Sequence, residues 1–190
     1  MNSKNLFLML IVFSCTNFLN TNKLKAESYQ KSYREKGNES LLNKNLGNAG
    51  EFYVLAQLAQ KGFIAGKTDD GQTLIDVIAT EPETLTTVNI QVKATGNYDK
   101  VPSWIMSKKN EDVFESLWYV LVEIGDEKII PNFFIFHSSE IGPWLKNNHS
   151  YWLGIPKRDG SPRKDTNMRR FAPTYDELKL HKDNWSQMFK

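Results

Sequence analysis

Asp76, Gln91 and Lys93 carry side chains suited to chemistry, yet they lie in two otherwise apolar runs, LIDVIAT (Leu74 to Thr80) and TVNIQVKA (Thr87 to Ala94). Strand side chains alternate between faces. Val88, Ile90, Val92 and Ala94 therefore share one face of the second run, and Asn89, Gln91 and Lys93 share the other. A hairpin folded about Glu83 and Thr84 sets Asp76 opposite Gln91, with Lys93 further along the same face. A slip of one residue would undo this, because it turns every side chain over. In that register a carboxylate, an amide oxygen and an ammonium group converge.

Asp76 and the Gln91 side-chain oxygen are hard oxygen ligands. With a main-chain carbonyl and waters they suit Mg²⁺, which keeps an octahedral shell and takes one or two carboxylates from protein. Such an ion polarises a phosphate and acidifies a bound water. Lys93 is then placed to orient the water or to steady charge on a pentavalent phosphorus. Gln in place of Glu removes a negative charge, so another acid is needed. Glu51, in GNAGEFYVLAQLAQKGF, shares a helical face with Leu55 and Leu58, where a carboxylate needs a partner or a metal. Two simpler accounts stand beside these. Asp76 and Lys93 can form a surface salt bridge with Gln91 as filler, and Glu51 can be an acid in a first helical turn.

The elements that must hold these residues are legible from periodicity. Leu46 to Gln60 reads as a helix ended by Gly62. Phe63 to Gly66, Leu74 to Thr80, Thr87 to Ala94, Ser103 to Ser107, Asn132 to His137 and Tyr151 to Ile155 read as strands. Leu117 to Ile124 (LWYVLVEI) is a continuous apolar run and reads as a central strand buried on both faces. Asn110 to Ser116 reads as a helical turn. Ser138 to Lys146 reads as a helix with Ser138 as N-cap, and Thr174 to Phe189 as a closing helix capped by Thr174. The expected fold is α/β, a mixed central sheet flanked by helices.

The 190 residues suffice for one globular domain with a real core. The net charge of +2 points to no partner class. With a single cysteine, Cys15, the chain forms no internal disulfide. The apolar run Leu6 to Phe13 is too short to span a bilayer, which takes about 20 residues, but it has the length of a signal-peptide core. Val12-Phe13-Ser14-Cys15 loosely resembles a lipoprotein cleavage box. The expected organisation is residues 1–27 as a signal segment or an N-terminal extension, 28–45 as a polar linker or helix, and 46–190 as the functional domain. The expected location is the cytoplasm, the alternative being membrane anchoring through Cys15.

Gly50-Glu51 in a first helix, Asp76 after Leu74-Ile75, then Gln91-Val92-Lys93 and an apolar strand resemble the PD-(D/E)XK nuclease superfamily. The Gln-x-Lys form is similar to Mrr-like restriction endonucleases and to domains allied to Holliday-junction resolvases. The resemblance covers about Leu46 to Ile124. It implies a restriction-endonuclease-like core and hydrolysis of DNA phosphodiesters with Mg²⁺ or Mn²⁺. It makes Asp76, Gln91 and Glu51 metal ligands and Lys93 the catalytic lysine. One departure is Ile75, which stands where many members have Pro. The alternatives are a non-catalytic nucleic-acid-binding or interaction module on the same fold, since fold does not dictate function, and an exported lipoprotein of unrelated role.

The loop PKRDGSPRKDTNMRRF (Pro156 to Phe171) carries Lys157, Arg158, Arg163, Lys164, Arg169 and Arg170, and Lys108 and Lys109 lie near the catalytic strands. These are the candidate DNA contacts, weighed against an ordinary solvated surface. His137, His149 and His181 have no metal-ligand spacing and read as structural or exposed. The tryptophans suit core packing, with Trp104 a candidate for the border of the site. Asp69 and Asp70 read as surface charges or weak outer contributors. No P-loop, dinucleotide turn or nucleophile elbow is present, so no small-molecule cofactor is expected. A homodimer or a targeting partner protein is compatible with the sequence.

Overall fold

The apolar run Leu117–Glu123 (β5) occupies an inner position of the main sheet, and Tyr119, Val120, Leu121 and Val122 are all inaccessible to solvent. This computed structural model describes residues 39–69, 74–96, 101–125 and 130–190. The apolar N-terminal run with Cys15, most of the polar segment after it, and Asp70 lie outside the described residues. Around β5 stand β1 (Ile64–Lys67), β2 (Val77–Thr80), β3 (Thr87–Thr95) and β6 (Asn132–His137), in the order β1-β2-β3-β5-β6. In this sheet β3 and β5 run parallel and the other neighbours antiparallel. A small antiparallel sheet pairs β4 (Trp104–Ser107) with β7 (Met168–Phe171). The helices are α1 (Glu39–Gln60), α2 (Ser138–Gly154) and α3 (Tyr175–His181), with 3-10 turns at Lys108–Glu111 and Trp185–Phe189. Asn45–Lys190 form one compact unit. Mixed α/β architecture is thus observed as expected.

Alternation along the strands builds two cores. Val77, Ala79, Val88, Ile90, Val92 and Val122 meet Val54 and Leu58 of α1, together with Trp185 and Met188. On the opposite face Tyr119, Leu121, Phe134 and Phe136 meet Trp104 and Phe171 of the small sheet, Leu145 of α2 and Leu178 of α3. Burying apolar surface on both faces is what makes β3 and β5 read as nearly unbroken apolar runs. Helix α1 comes closest to the sheet at Gly50, where an added Cβ would lie 2.8 Å from the Ala94 Cβ.

Several expectations need correction. Tyr151 to Ile155 is not a strand. Tyr151 to Gly154 is the last turn of α2, since a short apolar run does not by itself separate strand from helix. Ser138 is the first residue of α2, not its cap. The cap is His137, whose ring nitrogen accepts from Ser139 N–H while Glu140 accepts from His137 N–H. The Ser138 hydroxyl instead donates to the Phe114 carbonyl at 2.6 Å. The closing helix starts at the Thr174 cap as expected but stops at His181. Asp183 then takes a left-handed conformation (φ 53°) before the 3-10 turn. The helical turn expected at Asn110 to Ser116 falls earlier, at Lys108–Glu111. On α1 the fully buried stripe is Gly50, Val54 and Leu58; Glu51 and Leu55 flank it, and Ala59 is exposed.

Candidate active site

The β2–β3 hairpin has the register inferred from the sequence, with Val77 opposite Ile90 and Thr80 opposite Thr87. Its turn closes through Glu81 N–H to the Thr86 carbonyl at 2.9 Å. At Asp76 the ladder changes. The Asp76 N–H still donates to the Ile90 carbonyl (2.8 Å), but the Val92 N–H donates to Asp76 Oδ2 (2.7 Å) instead of to a backbone carbonyl. The carboxylate therefore stands in the fork where β2 leaves β3. Gln91 Nε2 also donates to Asp76 Oδ2. Gln91 is only 4% exposed, so it is no filler on a solvated salt bridge.

Burial pushes the Asp76 carboxyl above the usual carboxylate range. The Val92 N–H, the charge of Lys93, the Gln91 amide and the charge of Lys67 each pull it back, and desolvation prevails. A partly buried carboxylate with a raised pKa has unmet demand for positive charge. Lys93 lies on the Gln91 face of β3, half-buried and in register with Leu121 of β5.

Glu51 lies on α1, one residue beyond the Gly50 approach. Its Oε2 is buried and accepts no hydrogen bond. Lys67 Nζ is 3.0 Å away, close enough for an ion pair but outside hydrogen-bonding geometry. Lys67 was missed by sequence reasoning. It ends a four-residue strand, and only the β1–β2 register, Lys67 opposite Val77, brings it next to Asp76.

No group of three or more His, Cys, Asp or Glu side chains among the described residues has the geometry of a metal centre. The available donors are two carboxylates, one of them with an orphaned buried oxygen, the Gln91 side chain and main-chain carbonyls. That set fits a Mg²⁺-like ion, which needs few protein carboxylates. Gln91 now presents its N–H groups to Asp76. To offer its oxygen to a cation at Asp76 the amide must turn over.

The candidate DNA contacts divide. Lys108, Lys109, Lys157, Arg158, Lys164 and Arg170 are exposed. Lys108 Nζ is 3.8 Å from Asp165 Oδ2, and Arg170 donates to Ser103 Oγ at 3.3 Å. Arg163 lies over the Trp152 ring at 4.6 Å and donates to the Ile155 carbonyl. Arg169 must be removed from the candidates: it is buried, ion-paired with Glu111, and donates to the Thr166 and Met168 carbonyls. His137 caps α2, His149 contacts Asp165 at 2.8 Å, and His181 bonds the Ile135 carbonyl. Trp104 is buried, with its indole N–H on the Val122 carbonyl. Asp69 is exposed.

No protein-family model matches this chain, and no curated protein matches it. Among solved structures it is similar to a bacterial homing endonuclease, I-Ssp6803I, at 10% identity and a TM-score of 0.46 over 77% of this chain and 90% of that one.

Proposed function

We propose that this chain is a metal-dependent nuclease that hydrolyses DNA phosphodiester bonds. One observation carries the proposal: a partly buried, pKa-raised Asp76 carboxylate lies in the β2–β3 fork with Gln91 on it and Lys93 beside it. Asp76, Glu51 and Gln91 would hold Mg²⁺ or Mn²⁺. When bound, that ion supplies Lewis-acid polarisation of the phosphate and a water acidic enough to attack. Lys93 donates its N–H groups to the attacking water or to the phosphoryl oxygens, steadying charge that grows toward the transition state. The Val92 N–H keeps the Asp76 carboxylate in one orientation, so its second oxygen stays aimed. The exposed cations Lys108, Lys109, Lys157, Arg158, Lys164 and Arg170, with Arg163, would neutralise backbone phosphates without reading sequence.

The full chain incubated with linear, nicked and branched DNA, with and without Mg²⁺ or Mn²⁺, tests this. Cleavage is expected only with metal. Lys93→Ala should lower its rate by at least about 10²-fold, as the loss of a charge-stabilising donor does elsewhere. Unchanged cleavage in that variant would mean the active site is wrongly placed. A specific contact supports a second reading, a non-catalytic nucleic-acid-binding module: Gln91 already satisfies Asp76 through its N–H, a polar latch that needs no metal. Duplex binding with no cleavage of any substrate in either metal would favour that module.

A further inference from the structure

The cations of the basic loop serve that mechanism as charge alone, and it makes no use of the rings beside them. Tyr151, in the last turn of α2, is 73% exposed, and its neighbour Trp152 is 38% exposed. We propose that this end of α2, with the loop 156–165, binds an unpaired polynucleotide strand. Bases stack on Tyr151 and on the Arg163 guanidinium, while Lys157, Arg158 and Lys164 hold the phosphates. The inference rests on the reading of those cations as phosphate contacts and deepens it by naming the state of the strand.

The planar groups are held in place. Arg163 lies over the Trp152 ring, its Cζ 4.6 Å from the ring centre, and its Nε donates to the Ile155 carbonyl at 2.7 Å. His149 stacks on the same indole with ring centres 5.4 Å apart, and its Nε2 is 2.8 Å from Asp165. The loop is ordered as well. Lys157 N–H donates to the Ser161 carbonyl and Gly160 N–H to the Lys157 carbonyl, each at 2.9 Å. A surface ordered in advance forfeits little entropy on binding. Between Pro156 and Asp165 stand four cations against two acids. Both acids are engaged, Asp159 by the Ser161 hydroxyl and Asp165 by His149 and Lys108. Charge alone suits duplex and single strand equally. The rings decide between them, because neighbours cover the base faces in a duplex, and only an unpaired strand offers those faces to a tyrosine ring or a guanidinium plane. Exposed rings among lysines also suit a lipid surface. Here, however, the indole carries a guanidinium and an imidazole, which cannot follow it into hydrocarbon without a large desolvation cost.

The test is fluorescence anisotropy of labelled oligothymidylate, oligouridylate and a mixed-sequence duplex of equal length. The full-length protein is used in EDTA, so that no cleavage intervenes. Wild type should bind at least one of the two oligomers more tightly than the duplex. The preferred oligomer identifies the strand as DNA or RNA, and either preference supports the proposal. Tyr151→Ala should weaken that binding about tenfold, the worth of one stacked base, and leave duplex affinity unchanged. Tyr151→Phe, which keeps the ring and loses the hydroxyl, should bind as wild type does. Lys157→Ala/Lys164→Ala should weaken binding of all three and lessen its salt dependence. Wild-type affinity for the duplex equal to or above that for both oligomers would overturn the proposal. So would a Tyr151→Ala variant that binds oligomer like wild type or weakens on duplex as much as on oligomer. Wild-type binding to phosphatidylserine vesicles but to neither oligomer would overturn it in favour of a lipid surface. Metal-dependent cleavage of duplex by a protein that ignores single strands would remove the stacking role and leave the nuclease reading standing. Ring-dependent strand binding without cleavage of any substrate would do the reverse.

Discussion

The unusual residue is Asp76, which keeps its charge in a partly buried fork at some cost to the fold. Its folded-state pKa lies above the ordinary value of 3.8. The stability linked to this group is therefore fully present below that ordinary value. It is lost as pH rises through the raised one, and it stays lost at neutral pH. Asp76→Asn removes the titration while keeping a side-chain oxygen for the Val92 N–H. In the absence of metal this variant should be at least as stable as wild type at pH 7. Its margin over wild type should shrink as pH falls through the Asp76 transition. Urea denaturation across a pH series measures this, and a variant less stable at pH 7 than at pH 3, relative to wild type, would contradict the sign. Cleavage should be lost in the same variant, the usual opposition between stability and activity.

Among the elements, α1 matters most to the site. Gly50 lets α1 sit against Ala94, Val92 and Val122, and that approach sets where Glu51 emerges. Gly50→Ala puts a methyl group 2.8 Å from the Ala94 Cβ, in a place lined by packed side chains. The variant should lose about 1–3 kcal/mol despite its better helix propensity, which calorimetric or denaturant unfolding will show. Arg169 of β7 pairs with Glu111 at the end of the 3-10 turn that follows β4, and Met168 opens the strand. Arg169→Ala would leave the Glu111 carboxylate without its buried partner and should cost about 3 kcal/mol of stability. Lys164→Ala, at an exposed position of the same loop, should leave stability within about 0.5 kcal/mol of wild type. The pair separates a structural arginine from candidate phosphate contacts in the same basic stretch.

For the whole molecule the near-neutral net charge means that DNA affinity must come from local clustering of cations. If Lys157, Arg158 and Lys164 neutralise phosphates, replacing all three by Ala should flatten the plot of log affinity against log salt. The slope should fall by about 0.9 for each phosphate no longer neutralised. The weakening should be the same on unrelated sequences. A slope that does not change would assign these residues to solvated surface. No helix among the described residues is long and apolar enough to cross a membrane. The N-terminal run and Cys15 lie outside that description, and fractionation of cells decides the location. The full chain is expected in the cytosolic fraction. A membrane pool that becomes soluble on Cys15→Ser would show lipid anchoring instead, which takes more than one acyl chain to be stable.

Alternation and apolar continuity were enough to recognise α/β organisation, the central strand β5 and the hairpin register that pairs Asp76 with Gln91. Those features are local, repeating with the period of a strand, and a sequence carries them directly. The Thr174 cap was legible for the same reason. The end of α2 and the break before Trp185 were not. Short apolar runs fit either strand or helix, and the left-handed Asp183 carries no strong local signal. The other missing facts concern pairs distant in the chain. Arg169 reads as one more surface cation until the fold brings Glu111 to it. Lys67 lies just past the strand read at Phe63 to Gly66, with nothing to mark it until β1 pairs with β2 and α1 delivers Glu51. Which cations are buried, which are exposed, and which stand beside a carboxylate depend on how elements pack together. Only the tertiary structure decides those, because the energy of a charge is set by its neighbours and its solvent rather than by its place in the sequence.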